Sequence, residues 1–342
     1  MTDTSLPVPA NTVRSRQVSR TRGGAVFLSL LALATALPWL LLPALDRTAA
    51  EGGLSTHAKS MLVFLGSGAH VAASYAFYVD ATMRERMRGH RWRYYFVPAI
   101  VIGTAVVVFA FGSRRTTATA LLLYFVWQTH HYTRQNVGVF AFATRARGTL
   151  SASDLERAAI TTAGFAGVIG MITFLAPWQD TSLAPVAIHL HGLALLVYVG
   201  AVALLLACLP RAWKARDLVR FAFLVGGVVF YLPTFVYGSA FSAIASYAIA
   251  HGCQYLVFMG WLATSVRRTK GWRVMGTVAG FALAGGLLLN SLDGLRAGGI
   301  AGGLFGLYLG IVMTHFVLDA GVWRLSDPEQ RKYMAERFEF LS

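Results

Sequence analysis

The sequence predicts an all-α protein, a polytopic membrane bundle of about ten transmembrane helices with both termini in the cytoplasm. Three observations predict this fold class. Of the 342 residues, 56% are hydrophobic and only 13% are charged, a composition typical of chains that cross a bilayer many times. Ten apolar segments reach the length of about 20 residues that a spanning helix needs. Lysine and arginine concentrate in alternate loops between these segments.

The apolar segments also define the domain organisation. A basic tail, residues 1–23, precedes them and is predicted to be disordered. A cytoplasmic segment, residues 325–342, follows the transmembrane domain of residues 24–324. The ten predicted spans are residues 24–46, 58–80, 94–112, 116–143, 158–176, 184–209, 217–238, 239–266, 272–292 and 298–324. The first is longer than the apolar core of a signal peptide, so we predict that it is retained.

The basic residues indicate the orientation of the bundle. Of the 30 lysines and arginines, 24 lie in the tail, in the loops after even-numbered spans and at the carboxyl end. Because positive residues stay on the cytoplasmic side, we predict a multi-pass protein of the inner (plasma) membrane with the lipid bilayer as its partner. The net charge of +15 follows from this topology. No nucleic-acid partner is predicted, because the sequence has no binding-module motif.

All histidines within the predicted spans lie on even-numbered ones. Histidines lie 60 positions apart from His70 to His130, from His131 to His191 and from His191 to His251, and His315 follows after 64. Hairpins of similar length explain a regular spacing at one depth, but they do not explain why each position is histidine. We therefore predict that the even-numbered helices meet around one site inside the membrane, with the odd-numbered helices packed outside them.

These histidines suit metal ligation, because neutral imidazole is the commonest metal ligand in proteins and a site needs several converging donors. His189 and His191 point about 200° apart on a helix, so which of them faces the site is open, and His191 is preferred. Proton relay and hydrogen bonding between helices are the other uses of an intramembrane histidine. The predicted ligands are His70, His130, His131, His191, His251 and His315.

The most polar stretch, Trp127 to Gly138, lies within the fourth span. An arginine such as Arg134 near the centre of a spanning helix costs about 2.5–3.5 kcal/mol, so this stretch is predicted to line a functional interior. Arg134 and Gln135 are predicted to orient substrate or oxygen, and Arg134 has three candidate partners: Asp319, a haem propionate or the anionic head of a lipid. Helical phase places on one face Tyr124, Trp127, Gln128, His130, His131, Arg134, Gln135 and Gly138.

Asp319 and Tyr255 complete the predicted site. His315 and Asp319 are four residues apart and share a helical face. The carboxylate is predicted to ligate a metal or to orient the imidazole through a hydrogen bond, and an ion pair with Arg324 or with a loop arginine is the alternative. Tyr255 shares a face with His251 and is predicted to supply a proton or an electron, although a buried tyrosine more often packs and finds one hydrogen-bond partner.

Short histidine patterns of the sequence resemble those of histidine-cluster polytopic membrane metallo-oxidoreductases. They are His130-His131, His189-x-His191, His251-x-x-x-Tyr255 and His315-x-x-x-Asp319. One such group comprises the diiron desaturases, hydroxylases and alkane oxygenases, whose HxxxH and HxxHH boxes this sequence lacks. The other is the haem–copper oxidase type, in which HH, HxH and HxxxY elements hold haems and copper. The resemblance implies non-haem iron, in a centre of one or two ions, with haem as the alternative cofactor.

Three functional hypotheses follow from these residues. The first is a membrane metal-dependent oxidoreductase of the oxygenase, hydroxylase or desaturase kind, which oxidises a lipophilic small molecule and takes electrons from a donor. The second is a haem-binding electron-transfer protein with paired imidazoles as axial ligands. The third is a proton-coupled or metal transporter, in which the histidines relay protons or bind cations.

Overall fold

The computed structural model describes residues 22–36, 39, 64–147, 151–175, 184–214, 216–237, 240–265, 271–287 and 299–341. Every regular element within these ranges is helical, which confirms the all-α prediction. Most of the predicted disordered tail and parts of the first, second and ninth predicted spans lie outside the described residues.

We number the described helices in chain order. A described helix lies in each of the ten predicted spans, whereas α3 and α13 lie between or after them. The helices are α1 (Arg22–Ala36), α2 (Ala69–Ser74, extended by a π turn at Phe64–Gly68 and a 3-10 turn at Tyr75–Tyr78), α3 (Ala81–Gly89), α4 (Trp92–Phe111), α5 (Arg114–Ala146), α6 (Asp154–Leu175), α7 (Ala184–Lys214), α8 (Leu218–Val229), α9 (Pro233–Val236), α10 (Ala240–Ser265), α11 (Gly271–Gly280), α12 (Gly299–Val322) and α13 (Pro328–Arg337).

Several of these helices indicate a membrane protein. Four, in α4, α6, α7 and α12, are long and apolar enough to cross a bilayer. Only 11% of the apolar window of α4 and 28% of that of α7 is buried within the protein. A helix that is apolar all round and yet exposes most of its surface is stable in lipid rather than in water. These two helices therefore present lipid-facing surfaces.

Short polar side chains set where several helices begin. Ser113 accepts the backbone N–H of Thr116 at 3.2 Å and starts α5. Asp80 accepts the backbone N–H of Met83 at 2.8 Å and starts α3, and Asp327 caps α13 in the same way. Such caps satisfy N–H groups that have no partner inside the helix.

Two glycines bring α12 close to α4. A Cβ atom on Gly306 would lie 2.5 Å from the carbonyl oxygen of Ala105, and one on Gly310 would lie 2.7 Å from the Cα of Ile102. Neither space accommodates a methyl group, so glycine lets the two backbones approach as small residues do in membrane helix interfaces. In the sequence, glycine recurs every four residues at Gly298, Gly302, Gly306 and Gly310, and the last two of these form the packing surface for α4.

We expect Gly306→Ala to destabilise the protein by about 1–3 kcal/mol, the usual cost of overpacking, because the methyl group meets backbone atoms of α4. Gly303→Ala is the matched control on the same helix, since its Cβ would lie 3.5 Å from the Ala110 side chain, an ordinary contact. The measurement is the thermal unfolding midpoint in detergent. Equal midpoints for the two variants would contradict the close approach of α4 and α12.

A buried ion pair joins the beginnings of α6 and α8. The guanidinium of Arg220 donates to both carboxylate oxygens of Glu156, at 2.6 Å and 2.5 Å. Glu156 is 0% exposed and Arg220 is 2% exposed. Arg220 also donates to the carbonyl oxygen of Ser151 at 3.2 Å. The bidentate geometry gives this pair the strongest form of a charge-assisted hydrogen bond.

The carboxyl-terminal segment packs onto the end of the bundle. Phe338, fully buried, lies 5.5 Å from Phe27 of α1 and 5.2 Å from Phe142 of α5, measured between ring centroids. Arg86 of α3 forms an ion pair of 2.5 Å with Asp327 at the start of α13. The described part of the predicted cytoplasmic segment, residues 325–341, therefore covers one end of the helices.

Candidate metal centre

Four histidines from four helices meet in the core of the bundle. α2 supplies His70, α5 supplies His131, α10 supplies His251 and α12 supplies His315. Their exposed fractions are 3%, 7%, 1% and 0%, so the protein shields all four from its surroundings. We call these four side chains the histidine cluster.

The four rings form a closed square. Ring centroids lie 4.7 Å apart for His70 and His251, 4.9 Å for His251 and His131, 5.2 Å for His131 and His315, and 5.0 Å for His315 and His70. Neighbouring rings meet edge to face, at interplanar angles of 73° to 86°. The diagonal from His251 to His315 measures 6.1 Å. Four helices thus place one imidazole each in a closed loop of four ring contacts.

Six buried imidazole nitrogens of the cluster have no hydrogen-bond partner among the described residues. Buried polar atoms are nearly always partnered, and an unpaired one costs about 1–3 kcal/mol. Six such atoms in one place therefore indicate a partner that the described residues do not supply. They are Nδ1 of His70, Nε2 of His131, and both ring nitrogens of His251 and of His315.

The dimensions of the cluster fit a metal ion. The midpoint between the ring centres of His251 and His315 lies about 3 Å from each, half of their 6.1 Å separation. A metal-bound imidazole has its ring centre near this distance, since the metal–nitrogen bond is about 2.0–2.1 Å and the nitrogen lies roughly 1.1 Å from the ring centre. The nearest ligand atoms of His70, His251 and His315 lie within 4.8 Å of one another, as do those of His131, His315 and Asp319.

Asp319 lies beside the cluster, as its spacing from His315 predicts. Its Oδ2 is 3.4 Å from Nε2 of His315 and 3.7 Å from Nε2 of His131. Its Oδ1 accepts a hydrogen bond of 2.9 Å from the hydroxyl of Tyr255. One oxygen is thus held by the tyrosine while the other faces the imidazoles, which suits either a metal ligand or a group that orients one.

Two predicted ligands, His130 and His191, do not join the cluster. His130 lies about 100° around α5 from His131, and its side chain is exposed. His191 lies on α7, which packs along α6. Its ring centroid is 5.8 Å from that of Phe235, and its Nδ1 is 3.5 Å from Oγ1 of Thr173. The structure therefore does not bring these two predicted ligands to the cluster, and the described part of the sixth predicted span contributes no side chain to it.

Gln135, which the sequence predicts to orient substrate or oxygen, ties α5 to α10. Its amide donates to Oε1 of Gln254 at 2.9 Å and to the carbonyl oxygen of His251 at 3.3 Å. Gln254 in turn donates to Thr35 of α1 at 2.8 Å. Gln135 therefore holds the part of α10 that carries His251.

Two aromatic rings that the sequence analysis did not single out support the cluster. Phe316 stacks on His131, with 4.5 Å between ring centroids and 27° between planes. The ring of Tyr132 lies 4.5 Å from that of His251. Each ring directly follows a cluster histidine in the sequence, but only the helix arrangement shows that each packs on a histidine of another helix.

A cavity of about 560 Å³ opens beside the cluster and is lined by residues of α5, α10 and α12. Its buried lining residues include His131, Tyr255 and Asp319, whose side chains can carry chemistry. Six of the eight residues of the polar face predicted for the fourth span also line it, including Arg134 and Gln135. The volume suits one small molecule, since ligand pockets measure about 300–1,000 Å³. The cluster is therefore reachable from a binding cavity.

No family model, curated protein or solved structure matches this chain. The chemistry of the site has to be inferred from the site's own residues.

Proposed function

We propose that this protein is an integral membrane, iron-dependent oxidoreductase that oxidises a lipophilic molecule in the cavity beside the histidine cluster. The square of four buried imidazoles with six unpartnered nitrogens carries this proposal. A metal ion supplies the partner that these nitrogens need, and iron supplies one-electron and oxygen chemistry that side chains lack.

The proposed topology has ten transmembrane helices and both termini in the cytoplasm of a cell whose inner (plasma) membrane holds the protein. It is supported by the helix within each predicted span and by the basic residues in alternate loops. α5 has 33 residues and is about 50 Å long at 1.5 Å per residue, more than the roughly 30 Å of hydrocarbon. His131 is near its middle, so the cluster lies deep in the membrane.

A single non-haem ion fits the cluster better than haem does. Axial imidazoles of a haem lie on opposite faces of a flat macrocycle, whereas here each ring contacts two others edge to face at centroid distances of 4.7 to 5.2 Å. No flat space separates the rings. Imidazole donors suit iron as they suit zinc and copper, and of these iron is the metal that matches the proposed oxygen chemistry.

The cavity favours oxidation of an apolar substrate. Its walls include the rings of Trp127, Phe142, Phe258, Phe316 and Trp323, which offer contact to hydrocarbon. Hydroxylation of a C–H bond by dioxygen, or desaturation of a C–C bond, also consumes two electrons and two protons. We propose that a separate electron-donor protein supplies the electrons. Within the chain, the Tyr255 hydroxyl donates its proton in a hydrogen bond to Oδ1 of Asp319, beside the cluster.

An open position on the metal distinguishes an oxygenase from a structural metal site. The test is to load the detergent-purified protein with ferrous iron under anaerobic conditions and add nitric oxide. We expect the spin-3/2 electron paramagnetic resonance signal of a non-haem iron–nitrosyl complex. A Soret band would replace this function by haem-based electron transfer. Stoichiometric iron without the nitrosyl signal would contradict an oxygenase.

We expect Tyr255→Phe to keep the fold but to lower iron affinity or oxidation rate by about ten- to a hundredfold, the usual effect of removing a group that orients a metal ligand. The loss frees Oδ1 of Asp319. Tyr198→Phe is the control, since that buried phenol donates to the carbonyl oxygen of Val228. Iron affinity is measured by competition with a chelator, and equal values for both variants would contradict this role of Tyr255.

A further inference from the structure

Three arginines line the cavity that leads to the cluster: Arg93, Arg134 and Arg324. The acidic residue among the described lining residues is Asp319, which already accepts from Tyr255 and faces two histidines. Three positively charged guanidinium groups therefore line the same cavity as one carboxylate, and that carboxylate already contacts a tyrosine and two histidines. The cavity has an excess of positive charge, which suits an anion.

Arg134 is the most available of the three. Its side chain is exposed, and it makes no hydrogen bond or ion pair with any part of the chain that the structure describes. Arg93 donates only a long bond, 3.4 Å, to the carbonyl oxygen of Ala320. Arg324 donates through Nε to Ser326 at 3.2 Å. Guanidinium groups hold up to five N–H donors each, so most donors at this cavity remain open to a ligand.

Much of the rest of the cavity wall is apolar. Its large rings, such as Trp127 and Phe258, face the same space as the arginines. A ligand that satisfies both surfaces has an anionic head and a hydrocarbon body. Guanidinium binds carboxylate and phosphate in a planar two-bond geometry, and aromatic walls bind the apolar part by burial.

We propose that the substrate of this site is an amphiphile with an anionic head, carboxylate or phosphate, which Arg134 binds with help from Arg93 and Arg324. This inference rests on the proposed oxidoreductase function. Arg134 follows His131 by three residues on α5, a rise of about 4.5 Å. A head held at Arg134 therefore brings the adjoining carbons of the chain next to the cluster, so oxidation falls near the head rather than at the far end of the tail.

The test is equilibrium binding of radiolabelled dodecanoate to the purified protein in a neutral maltoside detergent. We expect saturable binding to the wild type that weakens at least tenfold in Arg134→Gln, because a hydrogen bond to a charged group is lost. Arg145→Gln on the same helix is the control, since Arg145 is exposed and lies outside the cavity. Arg134→Lys keeps the charge and is expected to retain intermediate affinity. Elution of each variant as a single species from size exclusion confirms folding.

Competition identifies the head group. If unlabelled dodecyl phosphate displaces radiolabelled dodecanoate more strongly than unlabelled dodecanoate does, the head of the substrate is a phosphate. If unlabelled dodecanoate is the stronger competitor, the head is a carboxylate. Dodecanol that competes as well as either anion, or unchanged binding in Arg134→Gln, would overturn the inference.

The binding is measured with and without iron. A protein that binds the anion but no iron would refute the oxidoreductase function alone. A protein that binds iron but does not prefer the anions over dodecanol would refute the substrate class alone.

Discussion

Replacing His315 with alanine is expected to abolish stoichiometric iron binding. His315 is 0% exposed and belongs to both groups of side chains whose ligand atoms lie within 4.8 Å of one another. Its ring contacts those of His70 and His131 at 5.0 Å and 5.2 Å. Alanine removes one ligand and breaks the square. Iron per chain, measured by mass spectrometry after anaerobic loading and desalting, is expected to fall to background.

Two adjacent residues of α5 provide the sharpest control for this experiment. His131→Ala is expected to lose iron as His315→Ala does, because its ring closes the square. His130→Ala is expected to keep iron, because His130 is exposed on the cavity side and outside the cluster. Both variants remove one imidazole from the same turn of helix. Equal iron loss from both would mean that the ligand set differs from the one proposed.

Glu156→Gln is expected to destabilise the folded protein by about 3–5 kcal/mol, because it removes the carboxylate charge to which the buried guanidinium of Arg220 donates twice. Neither side chain reaches solvent, with exposed fractions of 0% and 2%, so water cannot replace the lost carboxylate. The measurement is the thermal or denaturant midpoint in detergent. The control is Glu329→Gln, whose side chain is 79% exposed in its pair with Arg86 and which is expected to change stability by about 0–1 kcal/mol.

A double replacement separates the two contributions to this effect. Glu156→Leu with Arg220→Met removes both charges, and such exchanges of a buried ion pair for apolar residues are often neutral or stabilising. We therefore expect the double variant to be more stable than Glu156→Gln. A double variant that is as unstable as the single one would indicate that packing at the start of α6 and α8, and not the unpaired charge, sets the cost.

The sequence predicts the helices and four cluster histidines because both depend on position along the chain. Apolar length gives the helices, and equal hairpin lengths give histidines at one depth. Residues at the same depth meet only if their helices are also neighbours. α7 packs along α6, which leaves His191 away from the cluster, and nothing in the spacing of 60 residues distinguishes α7 from α5 or α10. His130 and His131 share the wide polar face of α5, so helical phase alone does not separate them.

Other features depend on contacts between distant residues. The pair of Glu156 and Arg220 joins positions 64 apart, and Glu156 precedes the apolar segment of its helix, where a solvated charge is the simpler expectation. The carboxyl-terminal Phe338 follows a charged segment but finds an aromatic pocket formed by α1 and α5. The glycine repeat of α12 is visible in the sequence, but its partner helix, α4, is not.

The cluster itself is best tested by X-ray absorption at the iron edge of the wild-type protein loaded with ferrous iron. We expect stoichiometric iron whose extended fine structure requires nitrogen and oxygen neighbours and the outer-atom scattering of about four imidazole rings, which is typical of histidine-rich sites. His130→Ala should give the same spectrum. Absence of stoichiometric iron, or a spectrum without imidazole scattering, would contradict a metal centre formed by His70, His131, His251 and His315.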